Sequence, residues 1–166
     1  MKIYVNNSIE MDKLELLFTD CFNKLKDSDS EKFSDDNNQS FREWFGIDNL
    51  KDYLKYSYII VAEDERKLVG GAIVGMQNPL SFPDGKKYEL FILGVLPKYR
   101  NKGVGKRIIK EMEDISKKTG ASSIILNTHE LMTSTQKFYT DLGYEKIGTL
   151  EKYYGNGNAV FFSKTL

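Results

Sequence analysis

Residues Leu93–Arg107 read LGVLPKYRNKGVGKR, and from Pro97 onward the stretch packs two glycines and five basic residues between a strand-like run and a helix-like one. Glycine lets backbone come close to a ligand. A helix beginning there points unpaired N–H groups and the positive end of its dipole at whatever lies in front. That is an anion site in outline. Upstream, KKYELFILGVL has the β-branched and aromatic texture of a strand. Downstream, Val104, Ile108, Ile109, Met112 and Ile115 fall on one helical face, and Gly120 stands where a left-handed cap residue would end the helix.

Working outward, YIIVAE, KLVGGAIVGMQ and KKYELFILGVL predict three consecutive antiparallel strands. DERK at Asp64–Lys67 suits a tight hairpin and NPLSFPDG at Asn78–Gly85 a longer one. Toward the N-terminus, KIYVN reads as a short strand, and Leu14, Leu17, Phe18, Cys21 and Leu25 recur at helical steps, which places a helix from about Met11 to Lys26. DSDSEKFSDDNNQS is polar and reads as a loop. FREWFGIDNLKDYLKY gives one broken helix or two short ones around Phe41, Trp44, Phe45, Leu50 and Leu54. Toward the C-terminus come a buried strand, ASSIILNT, and a short helix stopping at Gly143, with capping-box spacing from Thr133 to Gln136. The strands YEKIGTLEKYY and AVFFSKTL follow, with GNGN between them as a hairpin turn. The strand before the glycines and ASSIILNT are joined by a helix, so they are expected to be parallel neighbours. The order argues for a mixed α/β (α+β) domain around a mostly antiparallel sheet.

The 166 residues suit one domain, residues 1–166. Lys plus Arg and Asp plus Glu number 24 each, so no overall positive field favours nucleic acid or an acidic membrane surface. No apolar run reaches the roughly 18 residues that span a bilayer. The single Cys21 forms no internal disulfide, and MKIYVNNSIE is polar where a signal peptide needs an apolar run of roughly 7–15 residues, so the expectation is a reducing cytoplasm. No metal site is expected.

Two familiar phosphate motifs fail. A P-loop needs glycine where Arg100 stands and Ser or Thr where Arg107 stands, and the dinucleotide fingerprint needs a third glycine where Ile108 stands. What matches is Arg-x-x-Gly-x-Gly, Arg100 to Gly105, after LGVLPKYR and opening an amphipathic helix. This resembles the acyl-CoA-binding motif of the GNAT superfamily of N-acetyltransferases. A second segment, QKFYTDLGYEKIG from Gln136 to Gly148, is similar to that family's A-x-x-F-Y-x-x-x-G-F stretch, with Tyr139 on its tyrosine and Gly143-Tyr144 on its Gly-Phe.

The resemblance covers nearly the whole chain. It implies a GNAT-like, mostly antiparallel sheet flanked by about four helices, with a parallel strand pair splayed where acetyl-CoA binds. It implies pyrophosphate held by backbone N–H groups from Asn101 to Lys106, that is Asn101, Lys102, Gly103, Val104, Gly105 and Lys106, beside Arg100. It implies pantetheine amides bonded by the backbone of Leu93 and Val95. By the same resemblance Glu89 is the candidate base for the incoming amine and Tyr139 the candidate proton donor to the leaving thiolate. Read by themselves, Glu89 is also a solvated strand residue paired with Lys87 or a neighbour, and Tyr139 is also core packing.

There is one departure: the family often carries Asn seven residues before its tyrosine, and Met132 stands there, with Asn127 and His129 upstream. His129, the only histidine, reads as a loop or cap residue, and Cys21 as core. The implied partners are acetyl-CoA and an amine acceptor, with the protein a monomer or homodimer. The acidic loop Asp27–Asp36 would favour a cationic acceptor and also reads as solvated surface. Trp44, Phe45, Tyr53, Tyr153 and Tyr154 could line an aromatic pocket. The alternative function is a non-catalytic acyl-CoA sensor or interaction module on the same fold.

Overall fold

The computed structural model describes residues 1–23, 54–76, 86–155 and 157–166. The acidic loop, the connector Asn78–Gly85 and all but the end of the expected second helical region lie outside them. Among the described residues, seven strands form a mostly antiparallel sheet. Numbered in chain order, they are β1 (Lys2–Val5), β2 (Ser57–Asp64), β3 (Lys67–Met76), β4 (Lys86–Val95), β5 (Ala121–His129), β6 (Glu145–Tyr154) and β7 (Gly157–Thr165). The strand order is β1-β2-β3-β4-β5-β7-β6, and β4 with β5 is the parallel pair. Three helices are described: α1 (Met11–Asn23), α2 (Val104–Lys118) and α3 (Thr133–Asp141). The chain divides into two compact units, Met1–Gly75 with Phe91–Met112, and Met76–Leu90 with Glu113–Leu166.

In the first unit, β2 pairs antiparallel with β1 and β3, with Ile3 opposite Ala62 and Ile60 opposite Ala72. The two-residue turn between β2 and β3 has Glu65 and Arg66 at φ 48° and 65°. Two left-handed residues in succession are what a type I′ hairpin demands, so DERK makes its tight turn without glycine. The periodic residues of α1 point inward: Leu14 and Phe18 join Ile59, Val61, Ile73 and Ile92 in one buried cluster. A Cβ on Gly94 would lie 3.0 Å from the Cys21 sulfur and 3.1 Å from Phe18, so the missing side chain lets α1 lie close against β4.

In the second unit, β4 runs parallel to β5 from Lys86 opposite Ala121 to Leu90 opposite Leu126, where that ladder ends. β5 pairs antiparallel with β7, and β7 with the edge strand β6. Alternation buries Ile124, Leu126 and Thr128 on one face of β5. Phe162, opposite Leu126, receives the Tyr139 ring of α3 at 6.2 Å. The Lys164 ammonium bonds both Glu113 carboxylate oxygens at 2.9 and 3.0 Å and the Leu142 carbonyl at 2.8 Å. A cation is thereby placed at the C-terminal end of α3, where the helix dipole favours it.

One local expectation needs correcting. The spacing from Thr133 to Gln136 suggests a capping box, but Thr133 is already helical and Met132 is the cap residue, with no side-chain cap bond. The Gln136 amide instead donates to the carbonyls of Glu130 (2.7 Å) and His129 (3.3 Å) and so clamps the preceding turn.

Candidate active site

The glycine stretch becomes a short 3-10 turn, Pro97–Tyr99, and then a tight connection into α2. Asn101 and Gly103 both have left-handed φ, 57° and 77°. Asn is among the few side chains that tolerate this region, and Gly103 enters it without penalty. No atom lies within 4 Å of where a Gly103 Cβ would be, so the glycine is required by its φ and leaves open space. Its carbonyl accepts the Arg107 N–H at 3.1 Å, which makes it the last residue before the helix. The N–H groups of Val104, Gly105 and Lys106 therefore precede the first intrahelical bonds and lie at the positive end of the α2 dipole. Gly105 is helical. Val104 faces the core, while the side chains of Asn101, Lys102 and Lys106 are exposed.

Arg100 turns away from solvent. Its Nε donates to the Val95 carbonyl at 3.0 Å and its guanidinium to the Cys21 carbonyl at 2.7 Å. It therefore ties the end of β4 to the last turn of α1, a helix with no basic residue of its own there. Leu93 and Val95 stand in the last half of β4. The Lys98 and Lys102 ammoniums lie 5.1 and 5.8 Å from the centre of the Tyr99 ring. Cys21 is sealed in the same unit, and burial pushes its thiol up to about 12, which leaves it neutral and without nucleophilic character.

Glu89 belongs to the second unit. It is half-buried and stands opposite Ile125, on the face of β5 that also carries Asn127 and His129. Among the described residues no hydrogen bond or ion pair holds its carboxylate, so a pairing with Lys87 is not made. Burial alone raises its carboxyl above the ordinary glutamate value. Burial also raises the Tyr153 and Tyr154 phenols, and the Glu89 charge raises both further, which places the three groups within electrostatic reach of one another. The Tyr154 hydroxyl donates to Asn127 Oδ1. The Tyr153 ring meets those of Tyr154 and Phe161 edge-on, at 5.0 and 5.6 Å. The remaining pocket candidates, Trp44, Phe45 and Tyr53, lie outside the described residues.

Tyr139 belongs to the same unit and is buried between Phe138, Tyr144 and Phe162. Burial first, and then the Tyr154 charge, raise its phenol far above the ordinary tyrosine value. It therefore stays protonated, and among the described residues its hydroxyl makes no hydrogen bond. Met132 takes the Thr128 hydroxyl on its sulfur at 3.6 Å. His129 accepts the Leu131 N–H on Nδ1 at 3.1 Å and stacks on Tyr154 at 5.4 Å, a cap of its own turn as its position suggests. Burial lowers its ionisation, against an opposing pull from Glu130.

Sequence reasoning names Glu89, Tyr139, Tyr153 and Tyr154 but misses the grouping of Asn127 with Glu89. It reads Asn158 only as part of the GNGN turn. Strand register brings the first pair together, and no motif marks it.

The acetyltransferase (GNAT) family profile matches residues 14–144. Among curated proteins, human N-acetyltransferase 8B is 32% identical over 107 residues, covering 61% of this chain and 45% of that protein. N-alpha-acetyltransferase 30 of Schizosaccharomyces pombe is 27% identical over 104 residues, covering 63% of this chain and 68% of that one. The chain thus spans less than half the length of the first of these relatives. Among solved structures, the PaiA N-acetyltransferase of Thermoplasma acidophilum in complex with coenzyme A superposes with a TM-score of 0.77 at 21% identity, covering 100% of both chains. An aminoglycoside 6'-acetyltransferase type Ii gives 0.75 at 20% identity, over 99% of this chain and 97% of that one.

Proposed function

Because the chain belongs to the acetyltransferase (GNAT) family, we propose that it is an N-acetyltransferase, one domain over residues 1–166, moving an acetyl group from acetyl-CoA directly to a primary amine of a small molecule or peptide. The observation that carries the catalytic part is Glu89: a half-buried carboxylate with no ion pair among the described residues, raised by desolvation and faced by two tyrosines. A carboxylate so placed is poor structural material and good general-base material.

The turn from Asn101 to Lys106 receives the CoA pyrophosphate on its N–H groups, with Gly103 supplying the left-handed bend and Arg100 bracing the turn from behind. The backbone of Leu93 and Val95 bonds the pantetheine arm. A primary amine is mostly protonated at neutral pH and attacks only as the free base. Glu89 takes that first proton, and the amine nitrogen bonds the thioester carbon. Collapse of the tetrahedral adduct then breaks the carbon–sulfur bond, and the thiolate takes the Tyr139 proton. The second amine proton restores the phenol. The relatives named for N-alpha acetylation and the neighbours named for aminoglycosides both fit a primary-amine acceptor.

Calorimetric titration with acetyl-CoA, followed by thiol release on adding spermidine, lysine peptides, peptides with a free α-amine and aminoglycosides, tests this reading. Binding with amine-dependent thiol release is expected. Binding without release by any amine would favour the acyl-CoA sensor, and no binding would exclude both.

A further inference from the structure

The edge hairpin of the second unit breaks its own register. Leu150 stands opposite Ala159 and Tyr154 opposite Gly157, so β6 places Glu151, Lys152 and Tyr153 where β7 has only Asn158. In the middle of this double-length bulge, Lys152 has φ 54°, a left-handed conformation that a lysine rarely adopts. Bulges of this kind re-aim side chains and are common beside active sites.

One residue holds the bulge. Asn158 Oδ1 accepts the Lys152 N–H at 3.0 Å, which supports the backbone at the strained position. Asn158 is itself locked to Glu130. Its N–H and Nδ2 each donate to a Glu130 carboxylate oxygen at 3.0 Å, and its carbonyl accepts the Glu130 N–H at 2.9 Å. Glu130 in turn stands in the turn clamped by the Gln136 amide. The support runs from α3 through Glu130 and Asn158 to Lys152.

The consequence lies two residues on. Consecutive residues of a regular strand point to opposite faces. Here the adjacent Tyr153 and Tyr154 rings meet edge-on at 5.0 Å, one against Phe161 and the other bonded to Asn127. Phe161 and Asn127 are register partners, on the face that carries Glu89. Without the bulge, one of the two phenols would leave that face.

We propose that Asn158 is a positioning residue for the acceptor: by holding the left-handed Lys152 bulge it delivers Tyr153 and Tyr154 together to the Glu89 face, where the pair orients the incoming primary amine. This rests on the N-acetyltransferase reading above.

The test is a set of variants in the full chain: Asn158→Ala, Lys152→Gly, Lys152→Val and the Asn158→Ala/Lys152→Gly double, each assayed for thiol release with the amine that serves the wild type. Asn158→Ala is expected to raise KM for the amine about tenfold while KM for acetyl-CoA stays within about twofold. Lys152→Gly should match the wild type, because glycine takes the same φ without support, and the double should regain most of the lost amine affinity. Lys152→Val leaves the Asn158 bonds available but disfavours positive φ, and should also raise the amine KM. Amide exchange at Lys152 reports the bulge independently of turnover, and Asn158→Ala should speed it.

Faster exchange with an unchanged amine KM would overturn the positioning role and leave the enzyme reading standing. A double variant no better than Asn158→Ala would overturn it as well. A wild type that releases no thiol with any amine would overturn the enzyme reading, and this proposal with it.

Discussion

The turn at Asn101–Gly103 and the corner around Glu89 use the chain in opposite ways. The turn works through backbone: two left-handed residues open a helix, and the side chains there are exposed or, like Arg100, directed to bracing carbonyls. The corner works through side chains: a carboxylate from β4, an amide from β5, phenols from β6 and a ring from β7 converge on one face. A backbone site tolerates many residues but few conformations. A side-chain site tolerates conformational support from many places but few residues. Substitutions should therefore divide between those that weaken acetyl-CoA binding and those that impair use of the amine.

The largest effect is expected at Glu89. Glu89→Gln keeps the shape and removes the proposed base, so kcat/KM for the amine should fall roughly 10²–10⁴-fold with acetyl-CoA affinity unchanged, as general-base loss requires. Steady-state thiol release beside calorimetry checks it, and a loss of CoA affinity would blur the division.

Next comes Tyr139→Phe. Its phenol is held protonated by burial and makes no hydrogen bond among the described residues, so removing the hydroxyl leaves packing in place and takes away only a donor. A fall in kcat of about a hundredfold, near the lower end of the range for acid–base catalysis, is the expected outcome. An unchanged kcat would return Tyr139 to the core.

Gly103→Val attacks the other region. With no atom near the added Cβ, the penalty is purely conformational, about 1–2 kcal/mol for a residue forced into the left-handed region. Acetyl-CoA affinity should weaken about tenfold or more, because 1.4 kcal/mol is about tenfold in an equilibrium constant.

The smallest effect concerns stability. The Glu89 carboxyl is raised in the folded state, so its contribution to stability is fully present below the ordinary value of 4.5 and is lost as pH rises through the raised one. Glu89→Gln should thus melt higher than the wild type near neutral pH, and the gap should close on acidification below 4.5. Across the same rise, wild-type kcat/KM should increase as the carboxyl ionises. The group that costs stability would be the one that gives turnover.

The sequence discloses these regions unequally, and for a physical reason. Backbone conformation is written locally: Gly103 and Gly120 mark left-handed positions, and Leu14, Leu17, Phe18 and Cys21 mark a buried helix face that the structure confirms. DERK reads correctly as a tight turn although Glu65 and Arg66 carry the left-handed φ values that glycine would normally take. Side-chain convergence is written in register, which depends on pairing between distant segments. Glu89 and Tyr139 can be named from motif position. The meeting of Tyr154 with Asn127 and the bulge at Lys152 have no local signature. The Thr133–Gln136 spacing misleads because the helix begins one residue earlier than a capping box would need, which frees Gln136 to clamp the turn that carries Glu130.

The division between the two regions is tested most directly by titrating Gly103→Val and Glu89→Gln with acetyl-CoA in parallel and measuring thiol release from both at saturating acetyl-CoA and amine. Weakened binding with retained turnover at saturation in Gly103→Val, and intact binding with lost turnover in Glu89→Gln, is the predicted result. Equal loss of binding in both, or full turnover by Glu89→Gln, would contradict it.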